Sequence, residues 1–239
     1  PMADRATAEM DDLIHDLRKR ITGEVRFDPM SKVLYSTDAS IYEIEPLGVV
    51  IPRTPEDAIA AVEICVRHGV PILPRGAVTA LAGQAVGRAV QLDMSKYLNT
   101  ILEVNVEERW ARIQPGVVLD ELNAELRPHG LWFAPDVSPS DRATIGGMMG
   151  NNSSGARSII YGKTIDHVLE MRVILADAEL ITARALSDAE LEAKLRTPGL
   201  EGDISQVIQR LATTYREEIR KRYPKIMRRV GGYNLDEFV

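Results

Sequence analysis

Between Leu47 and Pro74 the chain passes from an apolar run to a helix signature and back, and that order limits the folds open to it. Leu47-Gly-Val-Val-Ile51 carries no polar side chain, the mark of a strand covered on both faces. Thr54-Pro55-Glu56-Asp57 reads as a helix start: a capping threonine, proline in the first turn, and acids beside the positive end of the helix dipole. The helix is predicted to run to about His68 and stop at Gly69, and Val70-Pro-Ile-Leu-Pro74 reads as the next strand. Strand, helix and strand in so short a span form a βαβ unit, expected to be right-handed with parallel strands.

The flanking pattern is mixed. Met10, Leu13, Ile14, Leu17 and Ile21 are spaced for a helix over 9–22, and a second short helix follows Pro29 through Val33 and Leu34. Residues 89–93, 101–104 and 110–114 are strand-like, Pro115-Gly116 makes a turn, and Val117 to Leu126 reads as a helix ended near Pro128 and Gly130. Residues 134–164, rich in Pro, Gly, Ser and Asn, have no steady period, which in a compact domain marks a binding loop system. Val168–Leu175 and Glu179–Thr182 read as a strand pair turning at Ala176-Asp177-Ala178. From Ser187 the pattern is helical, with Ile204, Val207, Ile208, Leu211 and Tyr215 on one face.

Composition removes several function classes. A net charge of -6 argues against a nucleic-acid binder, which needs a basic face to displace counterions. The single cysteine, Cys65, excludes an internal disulfide, a cysteine zinc site and an iron–sulfur cluster built by this chain alone, and its apolar helical surroundings predict a buried thiol. His15, His68, His129 and His167 lack metal-site spacing, so no metal site is expected. No apolar run is long enough to span a bilayer and no signal-peptide core is present, which points to a cytoplasmic protein or one peripheral to the inner face of the membrane.

Two loops carry the chemistry. The first is Pro74-Arg75-Gly76-Ala77-Val78-Thr79-Ala80-Leu81-Ala82-Gly83-Gln84, leaving the end of a strand. Its successive N–H groups form a nest for phosphate oxygens or, as plainly, a connection between strands. The second runs through Pro135-Asp136-Val137-Ser138-Pro139 to Thr144-Ile145-Gly146-Gly147-Met148-Met149-Gly150-Asn151-Asn152-Ser153-Ser154-Gly155. Its glycines let backbone lie flat against a planar ligand, and its amides and hydroxyls offer polar contacts, although Asn and Gly also fill tight turns. No G-x-G-x-x-G follows the first strand, which disfavours a dinucleotide-binding Rossmann domain. Gly162-Lys163-Thr164 ends like a P-loop, but Gly155 lies two positions too far upstream and no strand precedes it.

In order and separation the two loops resemble the FAD-binding domain of the vanillyl-alcohol oxidase and p-cresol methylhydroxylase superfamily. The residues that carry the likeness are Pro74-Arg75-Gly76, Thr79, Gly83, Pro135-Asp136, Ala143 to Gly147, Asn151 to Gly155, Tyr161-Gly162 and Leu175-Ala176-Asp177. Leu34–Tyr42, Gln84–Gly87 and Tyr223–Phe238 are similar to the glycolate oxidase and D-lactate dehydrogenase group, above all to its long members with a C-terminal iron–sulfur region. The resemblance implies an α+β, two-subdomain fold, a small parallel βαβ subdomain beside a larger mixed or antiparallel sheet with helices. It implies an N-terminal helical segment at 1–44, the FAD-binding domain at 45–186, and a helical segment at 187–239 leading toward a cap.

By the same resemblance the first loop holds the pyrophosphate and the second lines the flavin; Tyr161 and Gly162, which help to close the second subdomain, are counted among the cofactor-binding residues. Val78 stands where the family has glycine, Ala80 where it often has serine, and Ala178 replaces the glycine after Ala-Asp. Residue 77, where some relatives place a flavin-linked histidine, is Ala77, so the FAD is expected to be noncovalent. The implied reaction is hydride transfer from a D-2-hydroxy acid to flavin, with electrons passed to an acceptor. Arg228 and Arg229 are candidates for the substrate carboxylate or simply a solvated basic stretch. In relatives the acid–base residues and cap come later, so the chain is expected to be a fragment that is inactive alone, with any iron–sulfur cluster outside it. Two alternatives stay open: a flavin-carrying subunit without catalysis, and a reductase of the kind that makes UDP-N-acetylmuramate with NADPH.

Overall fold

The computed structural model describes residues 2–227 and 233–239, with side chains from residue 8 onward. The chain divides into two compact units, residues 1–167 and 168–239.

The first unit opens with helix α1 (Met2–Arg20), the short strand β1 (Glu24–Arg26) and helix α2 (Pro29–Leu34), whose N-cap is Asp28. The predicted strand–helix–strand is then β2 (Gly48–Ile51), α3 (Pro55–Arg67) and β3 (Ile72–Arg75). The Thr54 hydroxyl accepts the Asp57 N–H at 3.2 Å, as the capping signature requires. Strands β2 and β3 do not pair with each other. Strand β4 (Val90–Asp93) lies between them, parallel to both, in a sheet of order β1-β2-β4-β3. The first loop therefore leaves β3 and returns the chain to the middle of the sheet.

Strand β2 is buried throughout, as an unbroken apolar run demands, and β4 is buried throughout although it carries Gln91 and Asp93. Leu13 and Leu17 of α1 and Ala58, Ala61, Ile64 and Cys65 of α3 belong to the same core. Burial pushes the Cys65 thiol up to about 11. Strand β1 pairs antiparallel with β2 at the sheet edge; three residues are too few to show a strand period in sequence. Asp57 fastens this corner. Its carboxylate accepts the N–H groups of Thr22, Gly23 and Arg53 and the Thr22 hydroxyl, each at 2.9 Å. Burial opposes the charge, but these donors outweigh it and hold the carboxyl below its ordinary range.

The rest of this unit is built on a second cluster. Strands β5 (Ile101–Asn105) and β6 (Trp110–Ile113) form an antiparallel ladder. Helix α4 (Leu119–Leu126) passes into a 3-10 turn at Arg127–His129. The stretch that looked irregular in sequence contains helix α5 (Ile145–Gly150), helix α6 (Ser158–Tyr161) and a 3-10 turn at Thr164–His167. Tertiary contact, not propensity, makes α5. Ile145 and Met148 are buried with Val117, Leu119 and Leu122, and the N–H groups of Ile145 and Gly146 reach the carbonyls of Val117 (2.8 Å) and Pro115 (2.9 Å).

The second unit holds the hairpin β7 (Glu170–Ile174) and β8 (Leu180–Arg184), turning where predicted, with Ala178 at φ 70°. Helices α7 (Asp188–Lys194), α8 (Leu200–Thr214) and α9 (Arg216–Arg222) follow, α7 with a capping box between Ser187 and Glu190. Of the predicted apolar face of α8, Ile204, Val207 and Tyr215 are exposed. Among the described residues the strands outside the four-stranded sheet form two separate antiparallel ladders, β5–β6 and β7–β8.

Candidate functional site: two loops and the clasp beneath them

The first loop leaves β3 at Arg75, whose side chain turns inward. Its guanidinium donates to the carbonyls of Tyr35 (2.9 Å), Thr37 (3.4 Å) and Ala85 (3.5 Å) and to the Gln91 side chain, and it stacks over the Tyr35 ring at 4.8 Å. Burial pulls its pKa down, while Asp93, Tyr35 and Asp38 act the other way. The Gln91 amide donates to the Tyr35 carbonyl at 3.0 Å, and the Tyr35 hydroxyl donates to Asp93 Oδ2 at 2.6 Å. The segment from Tyr35 to Tyr42 is thereby held against the loop. The Ala39 N–H reaches the Val78 carbonyl (3.0 Å), the Asp38 carboxylate accepts the Ala85 N–H (3.3 Å), and the Tyr42 ring packs on Gly83.

The run of N–H groups from Gly76 to Leu81 donates to no acceptor among the described residues, and neither does the Thr79 hydroxyl. Consecutive donors on a backbone held from behind are the chemistry of an anion nest. Val78 sits in the middle with φ 54°, the left-handed conformation that the departure from glycine made doubtful.

The second loop is fastened to itself and to the first. Gly155 lies so close to the Asp136 carbonyl that any Cβ would overlap it. The Asp136 carboxylate accepts the Arg157 N–H at 3.1 Å and 3.3 Å. Asn152, at φ 44°, uses its side-chain oxygen to hold the Ile165 N–H at 3.0 Å, and the Ser153 carbonyl accepts both the N–H (3.0 Å) and the hydroxyl (2.8 Å) of Thr164. Between the loops, Gln84 Nε2 donates to Asn151 Oδ1 at 3.3 Å. Thr144 is a buried residue whose hydroxyl lies over Gly76, where a Cβ would displace it, and that hydroxyl has no partner among the described residues. Tyr161 meets Trp132 edge-on, ring centroids 6.0 Å apart.

A family profile described as an FAD binding domain matches residues 46–184. The chain belongs to this family of FAD-binding domains. It is 39% identical over 216 residues to a D-2-hydroxyglutarate dehydrogenase of Pseudomonas putida, across 89% of this chain and 22% of that protein. It is 35% identical over 166 residues to glycolate oxidase subunit GlcD of Bacillus subtilis, across 68% of this chain and 35% of that subunit. The chain thus spans well under half the length of these curated relatives. Among solved structures, p-cresol methylhydroxylase with substrate bound superposes with a TM-score of 0.62 at 22% identity, over 73% of this chain and 35% of the other. That likeness establishes the expected two-subdomain architecture and speaks to the fold alone.

The loop chemistry fits this cofactor, since a diphosphate needs donors and the first loop presents them without acceptors of its own. The FAD-binding domain brings Gly76 to Gln84 together with Thr144, Gly147 and Asn151, and Pro135–Asp136 together with Gly155. Ala77, Val78, Thr79, Ala80 and Gly83 are half-buried in the first loop, while Leu81 is exposed. Other candidate residues serve the frame. Arg75 faces inward, Ile145 is core, Val137 packs against that core, Pro135 is buried, and Asn152 is engaged by Ile165. Gly146 and Gly147 lie in the first turn of α5, not in an extended loop, and Ser138 is exposed. Arg228 and Arg229 fall outside the described residues. Pattern alone missed Asp38, Ala39 and Gln91 as the support of the first loop. The signal was present in Gln91, a polar residue inside an apolar strand run.

Proposed function

We propose that this chain is the FAD-binding part of a flavin-dependent oxidoreductase acting on a D-2-hydroxy acid, of the D-2-hydroxyglutarate type in preference to glycolate or D-lactate. The observation that carries the preference is extent. Likeness to the D-2-hydroxyglutarate dehydrogenase reaches across 89% of the chain, beyond the FAD-binding domain on both sides, whereas likeness to GlcD covers 68%.

In this reading the run from Gly76 to Leu81 binds the diphosphate, with Thr144 above it, and residues 135–138, 144–155 and 161–162 line the flavin. When bound, the isoalloxazine supplies the two-electron step, accepting hydride from the substrate carbon and passing electrons to an acceptor. The chain's own residues position it: Arg75, Asp38 and Ala39 fix the diphosphate loop, and Asp136, Asn152 and Thr164 fix the flavin-side loop. No histidine or cysteine lies in either loop, which supports a dissociable cofactor. Among the described residues no helix is long and apolar enough to cross a membrane.

Titration of the purified chain with FAD, read by flavin fluorescence and the visible spectrum, tests the site. Saturable binding is expected, with FAD released intact on denaturation. Anaerobic addition of D-2-hydroxyglutarate, D-lactate, glycolate and NADPH to the whole flavoprotein that carries this domain then tests the substrate class. Bleaching by NADPH alone would replace this reading with the reductase alternative.

A further inference from the structure

Lys163 is a cation for which the assignments above have no use. It is 8% exposed, yet its ammonium meets no hydrogen-bond acceptor and no carboxylate among the described residues. The bonds at this residue belong to its backbone, whose N–H reaches Asp166 Oδ2 at 2.7 Å and whose carbonyl accepts the Asp166 N–H at 3.1 Å. A lysine whose residue is this buried seldom leaves its ammonium without a protein partner. Arg75, also buried, shows the usual arrangement, with carbonyls and an amide around the charge.

The residues after Lys163 place it against the second loop. Thr164 bonds twice to the Ser153 carbonyl and Ile165 bonds to the Asn152 side chain. At that bend the Ser153 hydroxyl, the Ser154 N–H and the Ser154 hydroxyl also lack acceptors among the described residues. The carboxylate of Asp136 is engaged by Arg157, and that of Asp166 by the Lys163 N–H. A lysine buried along most of its length, with no carboxylate on its ammonium and unpaired donors on the loop its chain neighbours hold, makes a site for an anion.

We infer that Lys163 is an anion-pairing residue of the FAD site, its ammonium taking up negative charge on the bound dinucleotide. This rests on the reading of residues 144–155 as cofactor-lining. The same molecule offers that charge in two places: the diphosphate, anionic in every state, and the pyrimidine edge of the flavin, which gains charge on reduction.

The test compares the wild-type chain with Lys163→Met, Lys163→Gln and Lys163→Arg, measuring FAD affinity by fluorescence and the reduction potential of the bound flavin by dye equilibration. If the diphosphate is the partner, Lys163→Met weakens FAD binding roughly 10- to 100-fold and Lys163→Arg restores most of it. If the flavin edge is the partner, affinity for oxidised FAD holds and the potential falls, by about 30 mV for each tenfold difference between the two redox states. Unchanged affinity and unchanged potential in a folded Lys163→Met or Lys163→Gln chain overturn the inference. A wild-type chain that binds no FAD overturns the reading of the site with it; wild-type binding that the neutral variants share overturns only the role of the lysine.

Discussion

Val78 holds a backbone conformation that a β-branched residue enters only under constraint, and the constraint is visible: the Ala39 N–H on its carbonyl and the Arg75 clasp below. Such a φ costs about 1–2 kcal/mol for an L-residue, part of which glycine would give back through its freer unfolded chain. Val78→Gly is therefore expected to stabilise the first unit by up to about 1 kcal/mol in a urea titration. Ala178, at φ 70° in the β7–β8 turn, should respond in the same direction. Glu24 gives a pH signature. It accepts from Lys96 (2.5 Å), from the Tyr97 hydroxyl (2.6 Å) and from Arg26, and these partners lower its carboxyl from 4.5 to about 2. A carboxyl depressed on folding contributes stability that is complete above its unfolded pKa and lost as pH falls through the folded one. Acid unfolding between about pH 4.5 and 2 should thus be shallower in Glu24→Gln than in wild type, as followed by circular dichroism.

At the scale of elements, the segment Tyr35–Tyr42 and the loop after β3 behave as one piece, because Arg75, Gln91 and Asp93 tie them from within the sheet. Arg75→Met leaves the Gln91 amide and three carbonyls short of a buried donor, an expected loss of about 2–4 kcal/mol by denaturation. Tyr35→Phe removes only the hydroxyl on Asp93, for about 1.5–3 kcal/mol, and should weaken FAD binding far less than Arg75→Met does, which two parallel titrations would show. Much of this frame was legible in the sequence. Apolar runs and a capped helix start forced β2, α3 and β3, and the Ala176–Ala178 turn fixed the hairpin. What stayed hidden depends on distant contacts. Strand β4 enters between β2 and β3, α5 forms on the carbonyls of Pro115 and Val117, and the loop motif does not tell that Arg75 points away from the loop it belongs to. Lys163 was visible only inside a failed P-loop pattern, and its burial could not be read from spacing.

Taken as a whole, the molecule sets a net charge of -6 against a dianionic ligand, so attraction must come from donors placed at the loops and not from the overall field. Cys65 bears on how binding there reaches the rest of the first unit. It is the sole cysteine, fully buried on the inner side of α3, and held protonated by its surroundings. A thiol reagent can reach it only when that helix lifts from the sheet, so the labelling rate is a clock for opening. FAD bound only to the closed form slows that clock by the factor 1 + [FAD]/Kd, about a hundredfold at a hundred times the dissociation constant. The lone sulfur would then report cofactor occupancy from within the core of the first unit, without a spectroscopic probe on the flavin itself.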